Sequence, residues 1–339
     1  MIDIALASDA NYACGLLVTA VSMARSASPD AVLRFNVMDG GMSNEVWEDF
    51  TAHVQKAHPL SEFRRFKVDD ACFSAYPAWS GTSRMTYARL LLPQVLSDVE
   101  YVIYCDVDFL WQADVAELWR QRNPHVIVKT TREGKVQTRR IEEPWFRERN
   151  LPYSFDRYFC AGLLLFNLNQ CRRFRVFEKT LQFLDVHPDV QAPDQTALNA
   201  VLQKEKFGDE IENVCLLSPK WQVFAGDVTD ELLQNGCVIH YAGTTPWRLP
   251  RRWVLLSDTL MLWHRLNGVI YGIGSWGSLR RFFPIHRIIW RRMEYLAFST
   301  AGIRSICWII LYLTGHRECV RTFRKECRRL KFGLERGGR

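Results

Sequence analysis

The 339-residue chain is 48% hydrophobic and 13% aromatic, which excludes a disordered polypeptide and supplies enough apolar material for one large domain with an appendage. Its net charge of +7 is unevenly held: residues 276–339 carry 15 Lys and Arg against 4 Asp and Glu, whereas residues 1–275 carry 29 against 33. The ten cysteines form no C-x-x-C pair and no regular spacing, so a zinc ribbon and a disulfide scaffold are excluded and reduced thiols are expected.

The first apolar run, IDIALAS at 2–8, reads as a strand, and LLVTAVSMARSAS at 16–28 has apolar residues at helical spacing. AVLRFNVMD at 31–39 is again a strand, 44–57 a helix, and EFRRFKV at 62–68 a strand. SRMTYARLLLPQVL at 83–96 reads as helical up to its proline, and YVIYCDVD at 101–108 as the fourth strand. Alternation of strand and helix predicts an α/β domain with a largely parallel sheet, and ligands in such sheets lie beyond the carboxyl ends of the strands. That rule brings Ser8 and Asp9 to the same sheet edge as Asp106 and Asp108. The opening MIDIALASD has no basic segment followed by a long apolar one, so a cytoplasmic catalytic part is expected.

The fourth strand ends in two carboxylates one residue apart. Residues i and i+2 of a strand point to the same side, and two carboxylates held together repel unless a proton or cation intervenes. Hard oxygen ligands favour Mg²⁺ or Mn²⁺, typically holding phosphates. Two aspartates capping a turn are the plainer alternative.

Several words then occur in series: DANYACGLLVTAVSMARS, TYARLLLPQVLSDVEYVIYCDVDFLWQADVAELW, AGLLLFNL, PDQTALN and IHYAGTTPW. In order and approximate spacing they resemble the family 8 glycosyltransferases, especially the bacterial lipopolysaccharide glucosyl- and galactosyltransferases, over about residues 1–255. The resemblance implies a GT-A fold: one Rossmann-like nucleotide-sugar-binding domain with a mixed central sheet. It also implies a UDP-sugar donor, Mn²⁺ (or Mg²⁺) dependence and retention of anomeric configuration. Asp106, Asp108 and His240 are then the expected metal ligands, with Val107 between the carboxylates. Ala7, Ser8, Asp9 and Asn11 match the loop that holds uracil and ribose, although Asp9 and Asn11 are also ordinary turn formers. Arg89 matches an arginine near the donor sugar, and a buried guanidinium needs acidic or hydroxyl partners. Ala161 and Gly162 line the donor, and Gly243 lets backbone approach phosphate. Asp194 matches a residue that binds sugar hydroxyls, or alternatively caps the helix opened by Pro193. Gln195 matches one beneath the anomeric carbon. Glutamine is a poor nucleophile, so front-face attack is favoured over double displacement, with Gln195 stabilising oxocarbenium-like charge.

Two departures stand out. Cys160 replaces the usual Asn before AGLLLFNL, and cysteine is a weak hydrogen-bonding group. HYAGTTPW is one residue shorter than the family's H-x-x-G-x-x-K-P-W and has Thr245 where a diphosphate-gripping lysine precedes the proline. Arg248, or Arg251 and Arg252, are candidates for that charge.

The remainder, 256–339, interleaves arginines with Phe, Trp, Ile and Leu. It is expected to form basic, aromatic helices lying on an anionic membrane surface, at the inner face of the bacterial inner membrane. A helical bundle packed on the catalytic domain or on another subunit is the first alternative and a single membrane span the second, while nucleic acid is not expected for want of a binding motif. The expected activity is transfer of glucose or galactose from UDP-hexose to a lipid-linked oligosaccharide, the lipopolysaccharide core above all. Another acceptor (protein or cell-wall polymer) and a degenerate binding homologue are the alternatives.

Overall fold

A computed structural model describes residues 1–77, 83–243, 245–247 and 258–282. The strands in chain order are β1 (Ile2–Ser8), β2 (Leu33–Asp39), β3 (Ser61–Lys67), β4 (Tyr101–Cys105), β5 (Phe109–Trp111), β6 (Val126–Arg132), β7 (Phe159–Asn167), β8 (Glu212–Leu216), β9 (Val223–Phe224) and β10 (Val238–His240).

Seven strands form the central sheet in the order β3-β2-β1-β4-β7-β6-β8, and β5-β10-β9 form a small second sheet. The central sheet is mixed: β4 runs parallel to β1, but β7 is antiparallel to both β4 and β6. Since β6 and β4 therefore run the same way, their carboxyl ends share one sheet edge with that of β1, and β7 begins at that edge. The interior strands β1 and β7 are buried along their whole length, as two-sided strands must be, while the edge strand β3 is only half covered. Side chains such as Ile4, Phe35, Ile103 and Leu163 are fully shielded between sheet and helices.

The helix expected at 16–28 spans Ala13–Ser26, because a 3₁₀ turn at Ala10–Tyr12 feeds directly into it. The helix expected at 44–57 is Asn44–Ala57, capped by the Ser43 hydroxyl on Val46 N–H. The segment expected to be α-helical at 83–96 is 3₁₀ from Arg84 to Leu91, and only Leu92–Val95 is α. A 3₁₀ helix eclipses i and i+3, which sets Thr86 over Arg89, and Arg89 Nη2 donates to Thr86 Oγ1 at 3.0 Å.

The residues divide into two compact units, Met1–Trp247 and Arg248–Arg339. In the second, helices Asp258–Tyr271 and Gly274–Phe282 enclose a buried polar chain in which Ser278 donates to Asn267 at 2.8 Å and its hydroxyl lies 2.9 Å from His264 Nδ1. No helix among the described residues is long and apolar enough to cross a membrane. The expected boundary at 255, Arg248, Arg251 and Arg252, and the basic tail beyond 282 lie outside the described residues.

Candidate active site

The strand expected at 101–108 stops at Cys105, and Asp106 to Asp108 form a turn between β4 and β5, which belong to different sheets. Backbone pins that turn at both ends: Asp106 N–H donates to Gly162 carbonyl at 2.8 Å, and Tyr241 N–H to Asp108 carbonyl at 2.9 Å. The two carboxylates are thus presented from a fixed turn rather than a fraying strand end.

Asp106 meets a buried cation. Arg89, 2% exposed, places Nη2 2.7 Å from Asp106 Oδ1, which also accepts from the Tyr104 hydroxyl at 2.9 Å. Arg89 Nε donates to Thr86 carbonyl at 2.8 Å, Nη1 donates to Ala161 carbonyl, and the guanidinium carbon lies 4.4 Å over the Tyr104 ring. Asp194 Oδ2 is 3.0 Å from Arg89 Nε, close enough for ion pairing without hydrogen-bond alignment because that single N–H is aimed at Thr86. Burial alone would push the guanidinium's pKa down, but Asp106 and Asp194 raise it above its ordinary value. Burial pushes the Asp106 carboxyl up to about 6 against the pull of Arg89, with Asp108 and Asp194 adding to the rise.

His240 ends β10, and the antiparallel register sets it opposite Phe109, next to Asp108. Its Nε2 lies 3.4 Å from Asp108 Oδ1, and its ring stacks on Phe109 at 4.1 Å and Phe224 at 5.5 Å. Burial would raise the Asp108 carboxyl, yet His240, with a smaller contribution from Lys135, holds it below the ordinary range. Ligand atoms of Asp106, Asp108 and His240 lie within 4.8 Å of one another. Two carboxylates and an imidazole whose Nε2 faces Asp108 are a donor set that suits a divalent cation such as Mn²⁺. Gly162 makes this packing possible: a Cβ there would stand 2.9 Å from His240 Cε1.

These groups line one side of a cavity of about 420 Å³ that also contains Ala161, Asp194, Gln195 and Gly243. Asp194 does not cap its helix, Pro193–Lys204; it accepts from Thr86 Oγ1 at 2.6 Å and pairs with Arg89. Gln195 Oε1 accepts from Ala161 N–H at 3.0 Å, which fixes the amide. The further wall comes from residues that sequence reasoning missed: Glu133 and Lys135 after β6, and Thr138, Ile141 and Glu142 of helix Val136–Glu148. Buried Glu142 accepts from Thr196 Oγ1 at 3.0 and 3.1 Å, and burial pushes its carboxyl up to about 7. A second cleft, of about 460 Å³, opens between Tyr153 and Asn213, but Lys206 in it is paired with Asp209 and no reactive groups converge there.

A model of the family described as "Glycosyl transferase family 8" matches residues 3–249. The chain belongs to this family. Its mixed sheet has the GT-A fold of the galactosyltransferase LgtC, solved in complex with donor and acceptor sugar analogs; that structure is 26% identical with a TM-score of 0.63 and covers 79% of this chain and 96% of its own. General stress protein A of Bacillus subtilis (strain 168) is 23% identical over 261 residues, 71% of this chain and 85% of the relative. A putative glycosyltransferase of Haemophilus influenzae is 32% identical over 128 residues, 37% of each chain.

The loop after β1, expected to hold uracil and ribose, falls beside the cavity rather than on its wall. Asp9 caps the 3₁₀ turn after β1, its Oδ1 accepting from Asn11 N–H at 2.8 Å and Tyr12 N–H at 3.2 Å, and its Oδ2 from the Ser83 hydroxyl at 2.6 Å. Ala7 and Ser8 are buried at the end of β1, and Asn11 is exposed. The loop is braced from behind by Trp247, which meets the Tyr12 ring edge-on at 5.8 Å. A Cβ on Gly15 would stand 2.3 Å from Trp247 and 2.6 Å from the Val107 carbonyl, so this glycine admits the tryptophan and lets the first helix pack closely on the Asp106–Asp108 turn. Gly243 adopts φ +76°, a left-handed value that glycine takes without steric cost. Cys160 is buried on the cavity wall with its carbonyl accepting from Thr130 at 3.0 Å, and the seven cysteines among the described residues are free thiols.

Proposed function

We propose that the chain transfers a hexose, glucose or galactose, from a UDP-sugar to a hydroxyl of a lipid-linked oligosaccharide with retention of configuration. The observation that carries this reading is the convergence of Asp106, Asp108 and His240 in a cavity that also holds Asp194 and Gln195, in a family 8 chain. The relative LgtC, named as a galactosyltransferase and solved with donor and acceptor sugar analogs, supports the two-substrate reading.

In this reading Asp106, Asp108 and His240 would hold Mn²⁺, which when bound would supply charge stabilisation to a leaving diphosphate. Asp194 accepts a donor-sugar hydroxyl while Arg89 fixes its orientation. Gln195, one lone pair engaged by Ala161 N–H, turns the other toward positive charge developing at the anomeric carbon. The acceptor hydroxyl attacks from the side on which UDP leaves, and a β-phosphate oxygen takes its proton. The loop Ala7 to Asn11 receives uracil and ribose, with backbone already ordered by Asp9. A peripheral position on the inner membrane is supported by the excess of 15 basic over 4 acidic residues at 276–339, and the lipopolysaccharide core is the acceptor that the family resemblance favours.

The test is calorimetric titration of UDP into the full chain with Mn²⁺ and with EDTA, followed by UDP release from UDP-glucose, UDP-galactose and other UDP-sugars. Mn²⁺-dependent binding with turnover of one hexose donor is expected. Absence of UDP binding with Mn²⁺ present overturns the proposal.

A further inference from the structure

The cavity is unbalanced in charge. Five carboxylates line it, those of Asp106, Asp108, Glu133, Glu142 and Asp194, against the two cations Arg89 and Lys135. A divalent metal offsets part of that excess, but a diphosphate brings more negative charge into the same space. Arg89 has little left to offer it: four of its five N–H groups are donated to Thr86, Ala161 carbonyl and Asp106, and its charge is shared between Asp106 and Asp194.

Lys135 is differently placed. It has no ion pair with any described residue, and its recorded contact is with an aromatic face, the ammonium lying 3.4 Å from the centre of the Phe224 ring. Phe224 in turn stacks on His240 at 5.5 Å, which brings the charge beside the candidate metal centre rather than to the distant rim. The position is built by the backbone: β6 delivers the chain to the active-site edge, Gly134 turns it with φ +40°, and Lys135 N–H closes the turn on Glu133 carbonyl. An ammonium on a flexible four-carbon stem can leave a ring face for a phosphate oxygen, a stronger partner.

We propose that Lys135 is the residue that neutralises the donor diphosphate, holding it in the ground state and stabilising it as the sugar departs. Phe224 is then the resting perch of the ammonium between turnovers. The inference rests on the nucleotide-sugar reading above and adds a binding residue to it. It also makes the strand-end segment after β6, rather than the Pro246–Trp247 segment, the source of the phosphate-binding charge among the described residues.

The experiment compares wild type, Lys135→Met and Lys135→Arg by calorimetric titration with Mn²⁺ alone, then with uridine, UMP and UDP at fixed Mn²⁺, at low and raised salt. Lys135→Met is expected to lose tenfold or more in UDP affinity, less in UMP affinity and none in uridine affinity, with Mn²⁺ affinity undiminished. Lys135→Arg is expected to restore most of the UDP affinity, and the salt dependence of UDP binding should be shallower for Lys135→Met. UDP affinity within twofold of wild type in Lys135→Met overturns the assignment, as does an equal loss for uridine and UDP, which would mark a structural role. Wild type that binds Mn²⁺ but not UDP overturns the nucleotide-sugar reading itself, a result distinct from either.

Discussion

Gly162→Ala is the substitution whose consequence follows most directly from geometry. A Cβ at this position would stand 2.9 Å from His240 Cε1 and 3.1 Å from two Phe109 ring atoms. Carbon atoms pack at about 3.5 Å or more, so the imidazole must move by about 0.6 Å. Phe109 at 4.1 Å on one face and Phe224 at 5.5 Å limit the directions open to it. Metal–ligand distances tolerate only about 0.2 Å, so the imidazole either leaves the ligand set or distorts it. Overpacking of this kind costs about 1–3 kcal/mol of stability, and loss of ligand placement is expected to weaken Mn²⁺ binding by tenfold or more. Calorimetric titration of Mn²⁺ beside urea unfolding separates the two effects. Gly243→Ala is the control, since a Cβ there meets nothing within 4 Å but the backbone sits at φ +76°. It should cost about 1–2 kcal/mol in stability with the Asp106–Asp108–His240 geometry intact. Mn²⁺ affinity within twofold of wild type in Gly162→Ala would refute His240 as a ligand held by this packing.

Arg89→Met leaves Asp106 and Asp194 without their buried cation and is expected to lower unfolding free energy by about 3–5 kcal/mol in urea titrations at pH 7.5; a loss under about 1 kcal/mol would contradict the pairing. Mn²⁺ binding should weaken as pH falls through about 6, because the raised Asp106 carboxyl takes up a proton that the metal must displace, and a pH-independent affinity from 7.5 to 5 would remove Asp106 from the ligand set. Glu142 in the folded chain titrates near 7, above its ordinary carboxylate value, so the folded state binds the proton more tightly than the unfolded state and stability falls as pH rises from about 4.5 to 7. Glu142→Gln should abolish about 2–3 kcal/mol of that fall, and an unaltered pH–stability slope would count against burial as its cause.

How far the site could be read from the sequence depended on which strands were recognised. Ser8 and Asp106 were found by asking what lies at the carboxyl ends of β1 and β4. The same question put to β6 reaches Glu133 and Lys135, but VIVKTTR was not recognised as a strand, and the helix after it begins without a side-chain cap to announce it. The antiparallel β7 inverts the rule: its amino end, Cys160 to Gly162, is what reaches the site, and neither period nor composition states a strand's direction. Arg89 was legible as a buried cation in need of acidic partners, although alternating apolar and polar residues there gave no sign that the helix would be 3₁₀. Gly15 carried no signal, because its need for a hydrogen at Cα arises from Trp247, more than two hundred positions away.

The adjacency of Asp106 and Asp108 looks self-defeating from the sequence, and the fold resolves it by giving each carboxylate a different partner. Asp106 is tied through Oδ1 to Arg89 and Tyr104, groups of the central sheet side, whereas Asp108 leans on His240 of the small sheet. The turn is therefore the seam between two sheets, and a cation at the seam would be held by both. Arg89 extends the coupling to helix Pro193–Lys204, since it also pairs with Asp194 and bonds Ala161, whose N–H in turn orients Gln195. The candidate metal ligand Asp106 and the Asp194–Gln195 pair proposed to face the sugar accordingly share one buried guanidinium. That arrangement fixes the relative positions of both halves of the site, and because four of the five N–H groups of Arg89 are engaged in it, the charge proposed to receive a diphosphate comes from another element, Lys135 after β6.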